Sequence, residues 1–376
     1  MSARAAAFHV ALVASLAASL PACVVFEEPR RSSQSGPDTD GEELDAGADD
    51  DAAAALDGGI DAASGPDDAS LLDAPEIDAA TPDAGRDAAH VDAAIPRRPQ
   101  LDACGFAAPV VLGTITDASL DEVSGMAMSR RHPNVFWVIE DSGSAPVVHA
   151  VNDRGRLLAT YRVAGVAIDY EDIAIGPGPD SSVDYLYVAD IGDNDGSRST
   201  IVVYRAPEPE VSADQVRFTG MLDRVEPLPL TYPAGYRDNA EALFVDPATQ
   251  DLYLVTKNGF SRPNELFRLA APHTPAVARE LELLGAVFAG DGTDIAITSA
   301  DISPDGAWIA IRGLRAINVW SRAPGASIAD TILGTLPCAA PVPAETKGES
   351  IAVGPAGFYT TTEGVSPPIS FVSFTP

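Results

Sequence analysis

Glu171-Asp172-Ile173-Ala174-Ile175-Gly176 is the phrase on which the fold turns, because the chain writes a version of it five times. The other copies are SGMAMS from Ser124, EALFVD from Glu241, TSADIS from Thr298 and ESIAVG from Glu349. Each starts with an oxygen-bearing side chain, continues as an alternating apolar run and ends in a turn. Alternation with a period of two residues marks a strand with two distinct faces. A second strand rich in aromatic and β-branched residues follows each copy: VFWVIED (135–141), DYLYVAD (184–190), DLYLVTK (251–257), AWIAIRG (307–313) and GFYTTTEG (357–364). The hairpin recurs at intervals of 47, 70, 57 and 51 residues, which reads as the blades of a β-propeller.

Working outward from these hairpins, third strands follow at 200–205, 264–269, 316–320 and 369–374, and fourth strands begin at Arg156, Arg279 and Thr331. The last unit runs out of chain before a fourth strand. VLGTIT (111–116) nearly repeats ILGTLP (332–337), the outer strand expected of the fourth unit, and is therefore expected to pair with the last unit and close the ring. Closure removes the open sheet edges that a fan of blades would leave at the join. The expected class is all-β, a five-bladed propeller over residues 104–376, with a sixth blade as the alternative in the long interval between Glu171 and Glu241.

Two segments precede it. Residues 1–23 carry a short basic start, an Ala-rich apolar stretch and Leu20-Pro21-Ala22-Cys23, which reads as an export signal ending in a lipobox, with Cys23 the lipidated residue. Residues 24–103 are rich in Asp and Ala, with 21 acidic against 5 basic side chains. Such a segment cannot bury a core and is expected to be disordered, a self-repelling spacer with an end-to-end distance of about 50 Å. Together they predict an exported, monomeric lipoprotein held to a membrane by its lipid, with Val24 after Cys23 favouring the outer membrane. Two cysteines remain, Cys104 and Cys338, in a compartment where disulfides persist. With Cys104 before an outer strand and Cys338 after one, propeller geometry sets them near opposite faces unless 105–108 doubles back, so their pairing stays open.

The first residue of each inner strand lies at one mouth of the central channel. Ser124, Glu171, Glu241, Thr298 and Glu349 therefore form a candidate axial metal site. Carboxylates crowded around an axis repel one another, so either their pKa values rise or a hard cation sits among them, and an all-oxygen set without His or Cys suits calcium. The ends of the second strands and the loops beyond them add a candidate ligand-binding ring of Asp141, Asp190, Asp193, Lys257, Arg312 and Glu363, in which Lys257 and Arg312 are placed to hold phosphate.

The order hydroxyl, Glu, Glu, hydroxyl, Glu at five successive inner strands resembles the calcium-activated nucleotidases, or apyrases. The likeness includes Glu122-x-Ser124, the acidic turn Asp141-Ser142-Gly143 and the Glu241-Ala242 step. It implies a five-bladed propeller with an axial calcium ion. The chain departs from that family in its connecting loops, where most of the nucleotide chemistry lies, and in Thr298, which replaces a serine. Phrases such as Asp190-Ile191-Gly192-Asp193-Asn194 and Ser303-Pro304-Asp305-Gly306 are similar to those of bacterial propeller lipoproteins.

Other chemistries lack their residues. There is no Gly-x-Ser-x-Gly elbow, no glycine-rich phosphate loop before a helix and no His-Glu-x-x-His pair. Residues 104–376 carry 34 acids against 18 bases, which repels nucleic acid. Two readings follow: a tethered extracytoplasmic module that binds a ligand or protein on its calcium-bearing face, and a calcium-dependent hydrolase of nucleoside phosphates or other phosphoesters.

Overall fold

Five sheets arranged in a ring account for nearly all the regular structure. The structure is a computed structural model and describes residues 105–375, apart from 142, 144, 213–214, 259–261 and 288–295. The leader, Cys23, the linker and Cys104 lie outside the described residues. Among the described residues no helix is long and apolar enough to cross a membrane.

The inner strands are β2 (Val123–Met128), β6 (Tyr170–Pro177), β11 (Ala240–Val245), β16 (Ile297–Ile302) and β20 (Gly348–Gly354). Each packs against the next around the axis, and β20 returns to β2. Outward from them run β3 (Val135–Glu140), β4 (Val147–Asn152) and β5 (Leu157–Arg162) in the first blade, and β7 (Asp184–Asp190), β8 (Ile201–Pro207) and β10 (Glu226–Thr231) in the second. The third blade adds β12 (Leu252–Thr256), β13 (Asn264–Leu269) and β15 (Glu282–Val287), and the fourth adds β17 (Trp308–Gly313), β18 (Ile317–Ser321) and β19 (Cys338–Ala340). The fifth consists of β20, β21 (Gly357–Thr362), β22 (Pro368–Ser373) and β1 (Val110–Thr114). Pairing of β1 with β22 closes the ring, as the repeated Leu-Gly-Thr phrase predicts.

Alternation along the inner strands explains the core. Ile173 and Ile175 face the first blade while Ala174 between them faces the third. Five apolar clusters result, one in each gap between neighbouring blades. Each fully buried aliphatic or aromatic side chain contributes about 1.5–3 kcal/mol of transfer free energy. Blades are thus held together mainly by side chains, and sheets within a blade by their ladders.

Two features depart from expectation. The interval between Glu171 and Glu241 holds no sixth blade; it holds β9 (Phe218–Met221), which leaves the second blade and adds in parallel to β5 at the edge of the first. A shorter strand, β14 (Arg279–Glu280), likewise leaves the third blade and adds in parallel to β10 of the second. The segment from Thr331, expected as a strand, belongs instead to a helix, α1 (Ile328–Gly334). Ser327 caps it, accepting a hydrogen bond from the Asp330 N–H at 2.9 Å, and Ile328 and Ile332, one turn apart, share the buried face. The outer strand of the fourth blade is β19 instead.

That shift matters for the cysteines. Cys338 opens β19 rather than following an outer strand, and it is disulfide-bonded, with its partner outside the described residues. Phe106 pairs with Phe374 and so continues the β1–β22 ladder without doubling back. Cys104 therefore precedes the start of one outer strand, and Cys338 begins the neighbouring one. The geometric objection to their pairing is gone.

Candidate functional site

All five inner strands carry a β-bulge, and the extra residue in each is the first of the repeated phrase. The ladder skips Ser124, Glu171, Glu241, Thr298 and Glu349 between paired neighbours on either side. A bulge frees one residue from the pleat and re-aims its side chain, which is why bulges gather beside functional sites. The residue after each bulge is small in four blades: Gly125, Ala242, Ser299 and Ser350. In the second blade it is Asp172.

Asp172 plugs the axis. Its carboxylate is fully buried and accepts the N–H of Ile173 (2.9 Å), Leu243 (3.0 Å) and Ala300 (3.2 Å) and the hydroxyl of Ser299 (3.2 Å). Ser299 in turn accepts the N–H of Ile351 at 3.2 Å. Four inner strands are thereby tied through one carboxylate. Gly125 completes the circle, since a Cβ there would stand 2.7 Å from the Asp172 Cα.

Above this plug the five bulged residues divide. The Ser124 hydroxyl donates to the Glu171 carbonyl at 2.6 Å, and the Thr298 hydroxyl to the Gly348 carbonyl at 2.8 Å, so each stitches its blade to the next. The three glutamates are buried, at 4%, 5% and 7% exposure for Glu171, Glu241 and Glu349. Glu241 accepts the Asn239 amide at 2.9 Å and forms an ion pair with the Lys257 ammonium. Burial opposes the charge on Lys257, yet Glu241, Glu349 and Glu171 outweigh it and hold its pKa above the ordinary value. The protein thus already places one cation of its own among the ring carboxylates.

Glu171 stands differently. Its carboxylate lies with Asp141 and Asp169, the three offering ligand oxygens all within 4.8 Å of one another. Burial, then the charges of Glu241, Asp141 and Asp169, push its pKa up to about 11. Glu349 is lifted to about 7, chiefly by burial. Gly192 closes this cluster from the side. A Cβ on it would sit 2.3 Å from both Asp169 Oδ2 and Glu171 Oε1, so any side chain there would push these two carboxylates out of their present positions.

Three of the expected rim ligands build the site rather than line it. Asp190 is 1% exposed, pairs with Arg198 at 2.9 Å and accepts the Asp169 N–H at 2.9 Å. Asp193 accepts the N–H groups of Ser197 (2.8 Å) and Arg198 (3.0 Å), folding the loop that presents Gly192. Arg312 is fully buried, bonded to the Ser350 carbonyl at 3.1 Å and ion-paired with Glu345, because residues 345–350 wrap over the end of β17. It is not on the rim to hold phosphate. Glu363 pairs with Lys347 at 2.6 Å at the edge of the mouth. Asp141 lies beside Glu171, and Lys257, paired with Glu241, is partly exposed.

Sequence reasoning missed Asp169, Asn239 and Gly192. Asp169 sits two residues before a repeated phrase, and Asn239 two before another, with the Asn239 side chain bridging the Asp193 N–H (2.7 Å) to Glu241. The signal available was the polar residue at that offset in the second and third units.

No protein-family model matches the chain, and no curated protein matches it. Among solved structures it is similar to a chain in the crystal structure of a nidogen/laminin complex, at 11% identity and a TM-score of 0.36, over 64% of this chain and 71% of that one.

Proposed function

We propose that the propeller is a ligand-binding module whose mouth carries a calcium ion, held by Asp141, Asp169 and Glu171 with Glu241 and Glu349 beside them. Supporting this reading most directly is Glu171, a carboxylate at 4% exposure set against two further carboxylates within 4.8 Å. Crowding three carboxylates, two of them buried, is unfavourable unless a proton or a cation offsets their charge, and an all-oxygen donor set favours a hard cation. A bound divalent ion would stiffen the junction between the second blade and the loop after β3. Exposed Val166 and Ile168 next to Asp169, at 64% and 57%, offer apolar surface for a partner at the same mouth.

The likeness to calcium-activated nucleotidases agrees with an axial ion but carries less for the reaction. With Arg312 buried, Lys257 is the one cation of the expected phosphate clamp left at the opening, so binding is favoured over phosphoester hydrolysis. The sequence before the propeller completes the picture: export, lipid attachment at Cys23 to the outer membrane, and the 24–103 spacer holding the module clear of it.

Calcium titration by calorimetry, with melting followed in calcium and in chelator, tests the proposal. Calcium should raise the melting temperature of the wild type, while Glu171→Gln should bind at least tenfold more weakly, about 1.4 kcal/mol. Identical melting curves with calcium and with chelator would remove the metal from the proposal.

A further inference from the structure

A second site of opposite charge lies on the outer side of the ring, where the first and last blades meet. A cavity of about 190 Å³ is lined by Thr114, Thr116 and Asp117 after β1, by Arg154, Arg156 and Leu157 of the β4–β5 turn, and by Val216 and Arg217 before β9. Three arginines share that lining with one aspartate, and Asp117 beside Arg217 and Asp153 at 3.8 Å from Arg154 offset part of their charge, within a domain whose acids outnumber its bases almost two to one. Three cations against two carboxylates leave a net positive charge at this corner, which attracts an anion.

The walls are fixed in advance. Asn152 Oδ1 accepts the N–H of Arg154 and of Arg156, both at 3.0 Å, so the turn carrying the two arginines is clamped. Gly155 between them has φ +78°, and a Cβ there would lie 2.0 Å from the Thr114 carbonyl oxygen. The facing Gly113 is equally tight, its Cβ position falling 2.4 Å from the Arg154 backbone. Backbone therefore meets backbone across the seam, and both arginine side chains leave a rigid corner. Arg217 enters from the third segment and is steadied by Asp117 at 2.5 Å, while the Arg156 guanidinium donates to the Gln215 carbonyl at 2.8 Å.

We propose that this seam pocket binds a phosphate-class oxyanion. Forked guanidinium donors match the oxygen spacing of phosphate, and the hydroxyls of Thr114 and Thr116 supply further donors. The volume sets the size. It is well above the roughly 10–15 Å³ of such space that one water needs. The space accommodates a phosphate group or the head of a phosphate ester. Val216, 70% exposed on the rim, tolerates an attached apolar portion.

The full-length chain carrying Cys23→Ser, so that no acyl group is present, is titrated with inorganic phosphate at constant ionic strength. The same chain is floated with vesicles of phosphatidylcholine alone or containing phosphatidylglycerol. Phosphate binding that falls at least tenfold in Arg154→Ala/Arg156→Ala supports a free oxyanion ligand. Flotation that requires phosphatidylglycerol and is lost in the same variant supports a lipid headgroup. Arg154→Lys/Arg156→Lys, which keeps the charge and removes the forks, should give a partial loss, and it decides the matter if the alanine variant fails to fold. Absence of both phosphate and vesicle binding, or equal binding by wild type and the lysine variant, overturns the proposal.

Discussion

Replacing Asp172 with alanine should cost the propeller more than almost any other single change, although Asp172 touches no ligand. Its two oxygens receive three backbone N–H groups from three different blades and the Ser299 hydroxyl. Alanine leaves all of these donors in a site from which water is excluded, and each stranded donor costs about 1–3 kcal/mol. Taking the low end for the three N–H groups gives about 3 kcal/mol. Asparagine is the informative control. Either orientation of its amide turns an NH₂ toward at least one N–H that now has an acceptor, since Ile173 bonds Oδ1 while Leu243 and Ala300 bond Oδ2. The loss for Asp172→Asn should be about 1–2 kcal/mol. Urea unfolding reads both values, with an unchanged slope confirming that the denatured state is the same. An alanine variant within about 0.5 kcal/mol of wild type, the range of an indifferent surface change, would refute the account of the axis.

Glu349 gives a pH dependence of defined sign. Burial lifts its pKa from 4.5 to about 7, so the folded state holds a proton that the unfolded state releases. Its stabilising contribution is full below about pH 4.5 and is lost as pH rises toward 7; Glu349→Gln should flatten that decline in the melting temperature, and an unaltered pH profile would count against it. Calcium favours the charged forms of Glu349 beside it and of Glu171, which keeps its proton to about 11, so binding should tighten as pH rises through 7 and beyond, which titrations in buffers of different ionisation enthalpy can read. Cys104→Ser should abolish the bond at Cys338 and lower stability by about 2–5 kcal/mol under oxidising conditions; a Cys338 thiol that stays unreactive in the variant would point to another partner. Gly192→Ala should weaken calcium binding and lower the melting temperature together, because its methyl group has no room beside Asp169 and Glu171.

The blade count was legible because it depends on alternation, which one phrase displays five times over; the ring closure came out as expected although the strand it was matched to, from Thr331, is a helix. The bulged residues were legible for the same reason, as a polar position repeated where apolar alternation should continue. What each of them does was not. Ser124 and Thr298 turn to neighbouring carbonyls, and this depends on which backbone lies opposite after the blades pack. Arg312 looked like a rim cation because it ends a second strand, yet its exposure is set by residues 345–350, far along the chain. The Leu-Gly-Thr phrase is the sharpest case. It is a strand in β1 and the end of α1 at 333–334, with Thr335 as the C-cap, because a serine cap and the buried spacing of Ile328 and Ile332 decide the second context. Local preference yields there to packing.

The borrowed strands have a consequence for how the ring comes apart. β9 is chain from the second blade hydrogen-bonded to the first, and β14 is chain from the third bonded to the second. Neither of the first two sheets is finished until the sequence of its successor has been laid down. Opening one should therefore drag on the next, and native-state hydrogen exchange across blades one to three should report a shared protection level. The fourth and fifth sheets take no strand from a successor among the described residues, and they are joined instead by side chains such as Arg312 and Thr298. A cut placed at the obvious repeat boundaries would sever these loans, so this end of the molecule is inherited and lost as a block.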